Sequence, residues 1–269
     1  MILAILLGPH AAFLTMASVL FIQALFFADG GLLALGCNIF NLGFYPCFLA
    51  YPLIYKPLVA NRQSDRRLFA AATLAAIFAL QLGAFSVVLQ TVFSGVSELP
   101  FRTFVLFMQP IHLAIGLVEG LATTAVVIFV WKARPEIIQP TTGPVAAGNR
   151  SWRNMLIVLV VATILTGGVL SWFASSRPDG LEWAIFKTSG AGEVDGTADK
   201  LHTSLEKVQE KTVLLPGYGF KDQSATLQDQ KSDAGPGFDG STTLSGLIGG
   251  AITLIMAGSI GYALKRRKR

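Results

Sequence analysis

Residues 104–131 read FVLFMQPIHLAIGLVEGLATTAVVIFVW. Two side chains in that run are ionisable, His112 and Glu119. As a helix rising about 1.5 Å per residue, the run exceeds the ~30 Å hydrocarbon core of a bilayer. A soluble helix of this length needs a continuous polar face, and none is present. The stretch reads as a membrane span, and it decides the fold class.

Working outward, the same pattern recurs. Ala11 to Ala28 is apolar except for Thr15, Ser18 and Gln23, and stops at Asp29-Gly30-Gly31. A second span runs from Leu32 to about Leu58, interrupted by Asn38, Asn41, Pro46 and Pro52. A third runs from Leu68 to Phe93, a fifth from Met155 to Phe173 and a sixth from Leu244 to Leu264. The spacing therefore predicts an all-α, polytopic transmembrane helical bundle of about six spans, with a long external loop between the last two. Three parts are expected: a membrane domain over 1–131, a polar linker over 132–153, and a two-helix domain over 154–269 whose loop is 174–243. The composition agrees. Of 269 residues, 52% are hydrophobic and 14% charged, where a soluble domain carries about 25% charged. The mean hydropathy is +0.57.

Charge fixes the expected orientation. Lys56, Arg62, Arg66 and Arg67 follow the second span, Lys132, Arg134, Arg150 and Arg153 follow the fourth, and the chain ends Lys265-Arg266-Arg267-Lys268-Arg269. Short loops rich in Lys and Arg stay cytoplasmic. The C-terminus is then inside and the loop 174–243 outside. That loop has seven basic and eleven acidic residues. The net +5 of the chain reads as loop topology, with membrane lipid rather than nucleic acid as the partner.

No phosphate-binding loop, Gly-x-Ser-x-Gly elbow or His-Glu-x-x-His helix occurs in the sequence. The chain is expected to be a transporter component rather than an enzyme. Polar residues within spans are then the candidate sites. His112 and Glu119 are seven apart and share a helical face with Gly116, bordered by Gly120. Either they line a cation path or each is satisfied by a neighbouring helix in a packing seam. Asp29, at the outer end of the first span, could draw cations or cap the next helix. Asn38 and Asn41 are i, i+3 and should share a face. They could line a path or bond between helices. Gln81 and Gln90 read as interhelical glue. Cys37 and Cys47 read as buried small hydrophobes.

Two stretches resemble known families. Leu20 to Gly43, with Gln23-Ala24-Leu25-Phe26-Phe27-Ala28-Asp29-Gly30-Gly31 and then Asn38-x-x-Asn41, resembles CbiM/NikM. These are substrate-binding membrane components of energy-coupling-factor transporters for cobalt and nickel. His112, Gly116, Glu119 and Gly120 are similar to a later helix of that family. Pro178-Asp179-Gly180-Leu181-Glu182 spells PDGLE and resembles the CbiN-like auxiliary domain, as do Leu215-Pro216-Gly217-Tyr218-Gly219 and the last span. The resemblance implies import of Co²⁺ or Ni²⁺ as cargo, with no resident cofactor. It also implies a transmembrane coupling protein and cytoplasmic ATPase subunits as partners, and in some cases a link to cobalamin synthesis. Family members ligate metal through an N-terminal Met-His and a histidine before the Gly-Pro break. Here Ile2 stands at the second position and no histidine precedes Gly8. No metal ligand is therefore assigned from the resemblance. The apolar stub Met1 to Leu7 reads as the end of a longer segment, so an N-terminal truncation is expected. The alternative is a non-binding structural or regulatory subunit of such a complex.

Overall fold

The computed structural model describes residues 1–60, 64–95, 99–138, 149–173, 178–190, 200–220 and 240–267. Every regular element among them is helical. In chain order these are α1 (Ile2–Leu7), α2 (Pro9–Ile22) continued by a π turn Gln23–Phe27, and α3 (Gly31–Ile39) continued by a π-helix Phe40–Tyr55. Then come α4 (Lys56–Val59), α5 (Asp65–Ser94), α6 (Phe101–Ala133), α7 (Pro135–Ile138) and α8 (Asn149–Gly168) with a 3₁₀ turn Leu170–Phe173. Last are α9 (Gly180–Ser189), α10 (Lys200–Thr212), a 3₁₀ turn Pro216–Tyr218 and α11 (Gly240–Arg267).

Five stretches are long and apolar enough to cross a bilayer: Pro9–Phe27, Gly31–Val59, Asp65–Ser94, Phe101–Ala133 and Gly240–Arg266. They match expected spans one to four and six. The remaining expected span falls on α8, whose apolar part is Arg153–Gly168.

Contacts divide the chain into two compact units that do not follow its sequence order. One takes in Met1–Met16, Gly36–Ala147 and Pro178–Ala198, the other Ala17–Leu35, Gly148–Arg177 and Asp199–Arg269.

In the first unit, α5 and α6 form the central pair. Ser64 caps α5 by accepting from the Arg67 N–H, and Gly95, with φ 66°, ends it. Its buried stripe is alanine: Ala71, Ala72, Ala75, Ala76 and Ala79. Opposite stand Gly116 and Gly120 of α6. A Cβ on Gly116 would be 3.1 Å from Ile77 Cα, and one on Gly120 would be 2.7 Å from Thr73 Cα. Lipid offers no hydrophobic drive for helix association, so backbones brought close by small residues supply the packing. Outward on α6, Leu106 and Val118 are 66% and 65% exposed, as side chains facing hydrocarbon should be.

The second half of the second span departs from α geometry. Pro46 and Pro52 fall within it, and each removes a backbone donor. The sixteen residues Phe40–Tyr55 take the wider i→i+5 pattern instead. Alpha-helical arithmetic for shared faces therefore stops at Ile39.

The second unit contains a crossing of α8 and α11. A Cβ on Gly246 would be 2.9 Å from Gly167 O, and Thr243 Oγ1 donates to Gly168 O at 2.8 Å. The far side of α11 is open, with Leu254 75% exposed.

Candidate functional site

Several polar side chains within the first unit's spans are met by particular neighbours. Asn41 is buried. Its Nδ2 donates to Gln90 Oε1 at 2.8 Å, and Gln90 Nε2 returns a bond to Asn41 Oδ1 at 3.2 Å and another to Ser86 Oγ at 3.2 Å. A reciprocal amide pair uses both ends of each group, which is what burial in hydrocarbon requires. Asn41 belongs to that pair and Asn38, half-buried, does not. The winding changes from α to π between the two residues. Lower on α5, Gln81 Nε2 donates to Gln109 O at 2.9 Å. Both glutamines thus join helices as expected.

On α6, His112 Nδ1 lies 2.7 Å from Met108 O. A carbonyl only accepts, so Nδ1 carries the proton and the lone pair of a neutral ring sits on Nε2. Glu119 Oε1 accepts from the Met1 amine at 3.1 Å, with the carboxylate side chain 37% exposed. His112 and Glu119 thus have different partners, about 10 Å apart along the helix. Cys47 is buried beside Ala4 and Ala12, whereas Cys37 is exposed. The expectation for the cysteines holds for Cys47 alone, because Cys37 lies on the outward face of α3. His10 stands edge-on to Phe48 at 5.6 Å between ring centres.

The PDGLE residues also belong to this unit. Asp179 is the N-cap of α9, and its Oδ1 accepts from the Leu181 and Glu182 N–H groups, both at 2.8 Å. Glu182 Oε2 reaches back to the Asp179 N–H at 3.2 Å. This is a complete capping box. It satisfies backbone donors that a helix start otherwise leaves open. Along α9, Ala184 is fully buried in a cluster with Phe104 and Met108, and Leu181 packs against it. Trp183 stands edge-on to Phe107 at 5.6 Å.

The second unit holds a clasp on the C-terminal end of the first span. The π turn Gln23–Phe27 ends at Ala28 with φ 56°, and Gly30 and Gly31 have φ 68° and 64°. Three of the four residues from Ala28 to Gly31 have positive φ and turn the chain sharply, which glycine permits at two of them. The loosened turn leaves carbonyls to be satisfied, and the segment after α10 does so. Thr212 Oγ1 donates to Leu25 O at 3.0 Å. The Leu214 and Leu215 N–H groups donate to Phe26 O at 2.9 and 3.2 Å. Gln209 Oε1 accepts from the Leu32 N–H at 3.0 Å.

Asp29 sits at the centre of the clasp. Its Oδ2 accepts from the Tyr218 hydroxyl and from Gln23 Nε2, the latter at 3.2 Å. Gln23 Nε2 also lies 3.1 Å from Tyr218 Oη. Tyr218 stacks on Phe27 with 5.1 Å between ring centres, and Ser245 Oγ donates to Tyr218 O at 3.0 Å. Burial, and then the bond donated to Asp29, push the Tyr218 phenol above the usual tyrosine range. Tyr218 has φ 67°, uncommon for a residue with a side chain, and its four contacts hold it there. Asp29 is thus bound to Gln23 and Tyr218, and the cap on Leu32 comes from Gln209. Sequence reasoning missed Tyr218 and Gln209 as partners of this turn. The Leu-Pro-Gly-Tyr-Gly turn was the available signal.

Among the described residues, no group of three or more His, Cys, Asp or Glu side chains is placed to hold a metal ion.

These features define a class: a multi-pass helical membrane protein with polar groups that join its helices and a polar clasp at the end of one span. Residues 1–137 match the family model for the cobalt uptake substrate-specific transmembrane region, CbiM, and residues 153–266 match the PDGLE domain. The chain belongs to the CbiM family of cobalt and nickel transport proteins and carries a PDGLE domain behind the CbiM region. A sequence of Archaeoglobus fulgidus, named as a fused nickel transport protein NikMN, is 30% identical over 98% of this chain and 75% of its own length. The fused nickel transport protein NikMN of Rhodobacter capsulatus is 30% identical over 62% of this chain and 53% of its own. The cobalt transport protein CbiM of Sorangium cellulosum is 32% identical over 50% and 60%. The chain thus spans three quarters of the first relative and little more than half of the other two. No solved structure matches it.

Proposed function

We propose that the chain is the membrane substrate-binding component of an energy-coupling-factor ABC transporter that imports Co²⁺ or Ni²⁺. A transmembrane coupling protein and cytoplasmic ATPase subunits supply the energy, and the cargo serves cobalamin synthesis or nickel enzymes. The observation that carries this reading is the order of the two family regions within one chain, which matches the fused nickel transport protein over 98% of this sequence. The C-terminus is cytoplasmic and the loop 174–243 external, as the basic short loops favour. The domain bounds are those of the sequence reading: 1–131, 132–153 and 154–269. Asp29, Asn38, Asn41, His112 and Glu119 line or approach the cation's route. Imidazole nitrogen suits Ni²⁺ and Co²⁺, which makes His112 the natural contact among them.

The test is uptake of radioactive Ni²⁺ and Co²⁺ by cells that also produce the partner subunits. His112→Ala and Glu119→Ala are expected to lower uptake while the protein stays folded in the membrane. Unfolding of both variants, or unchanged uptake in both, overturns the path role.

A second reading is a structural or regulatory subunit that assembles the complex and binds no ion. The scattered ligand types favour it, since among the described residues no three of them gather. Co-purification of the ATPase partners without any metal uptake would establish it.

A further inference from the structure

The capping box of α9 explains Asp179 and Glu182, and leaves open why the residue between Asp179 and Leu181 has no side chain. Gly180 is not in a left-handed conformation, so backbone freedom is not the reason. Space is. A Cβ on Gly180 would lie 2.9 Å from Ile115 Cδ1, 3.1 Å from His112 Cε1 and 3.4 Å from His112 Nε2. The first turn of α9 therefore rests on the imidazole edge that carries Nε2. On its other edge the ring is tied to Met108 O through Nδ1, at 2.7 Å. The His112 ring is thus held between the carbonyl one turn earlier on α6 and the backbone of the PDGLE turn.

The rest of α9 keeps that turn in place. Phe104, Phe107, Met108, His112 and Ile115, at positions i, i+3, i+4, i+8 and i+11, form one face of α6. Ala184, Trp183 and Leu181 pack along it, and Gly180 closes the row at His112 and Ile115. Removal of the cap would fray the first turn, which is the part that touches the ring.

We propose that the PDGLE motif is a positioning element for His112. Its capped, side-chain-free first turn holds the imidazole in one rotamer and one tautomer, with the proton on Nδ1 and the lone pair on Nε2. A neutral imidazole in that form is the one that can ligate a divalent cation. The value of this to transport rests on the function proposed above; the positioning does not.

The experiment separates the two. Histidine-labelled full-length protein in detergent is followed by ¹⁵N NMR at neutral pH. His10→Gln and His202→Gln in the background leave His112 as the sole histidine of the three. The expected spectrum shows one tautomer, protonated at Nδ1. Asp179→Ala, which removes the cap, and Gly180→Ala, which adds the colliding Cβ, are each expected to lower the tautomer ratio about tenfold, the scale of one hydrogen bond. Asp179→Asn keeps a capping side chain and is expected to restore the single form. Metal uptake is measured on the same substitutions in otherwise unaltered protein. A spectrum unchanged in Gly180→Ala, in protein that melts as the parent does, overturns the proposal even should Asp179→Ala fail to fold. A changed spectrum with undiminished uptake upholds the positioning and removes His112 from the cation's route. Diminished uptake with an unchanged spectrum overturns the positioning and leaves the route intact.

Discussion

Gly120→Ala tests the tightest glycine position among the described residues. The added Cβ would lie 2.7 Å from Thr73 Cα, 2.9 Å from Thr73 Cγ2 and 3.1 Å from Thr73 Cβ. Carbon atoms rest about 3.5–4.0 Å apart. The nearest obstacle is backbone, so no rotamer change relieves it, and α5 and α6 must separate. Overpacking of this kind costs about 1–3 kcal/mol. Against it stands the helix preference of alanine over glycine, roughly 1 kcal/mol. The difference is a net loss of up to about 2 kcal/mol. At roughly 2–4 °C per kcal/mol for a chain of this order, Tm in detergent should fall by several degrees. Gly250→Ala is the control. Nothing lies within 4 Å of a Cβ there, so only the preference term acts and Tm should hold or rise. Thermal unfolding followed by tryptophan fluorescence reads both. Equal stability of Gly120→Ala and Gly250→Ala would refute the idea that glycine is at 120 to let the two helices meet.

Other outcomes follow from the same structure. Asn41→Leu alone leaves Gln90 with Ser86 only, and Gln90→Leu alone removes the partner of Asn41. A double-mutant cycle should show positive coupling of about 0.5–2 kcal/mol, and additive single effects would contradict the reciprocal pair. Tyr218→Phe removes the hydroxyl from Asp29 and should raise hydrogen exchange at the amides of Leu214 and Leu215, with the rest of the chain unchanged. The Tyr218 phenol is raised in the folded state, so its contribution is complete below the ordinary tyrosine pKa of about 10. Above it the unfolded chain loses a proton that the folded chain keeps, and stability falls with rising pH. The slope of Tm against pH above that point should be shallower in Tyr218→Phe, and an identical slope would remove Tyr218 as its source. His112→Ala and Glu119→Ala should each lower metal uptake with the protein still in the membrane.

Span positions were legible because hydropathy over twenty residues needs no tertiary knowledge. The run 104–131 fell inside α6, and 68–93 inside α5. What hydropathy could not carry was winding. Pro46 and Pro52 were visible, yet the stretch that holds them is a sixteen-residue π-helix. Partners across hundreds of residues were equally hidden. Gln23 and Asp29 lie near the start of the chain and Tyr218 far along it, and spacing cannot show that they meet. The PDGLE letters marked a family, but their capping box and the seat of Gly180 on His112 became visible only as geometry.

The π turn that ends the first span has a wider consequence. Its carbonyls at Leu25 and Phe26 are completed by residues 212–215 of the second family region, so the turn of the first region draws its donors from the second. A chimera joining this CbiM region to the auxiliary half of a relative would need donors there that meet these backbone acceptors. Exchange of halves between relatives is therefore constrained by main-chain fit at this turn, a compatibility that no list of side chains records.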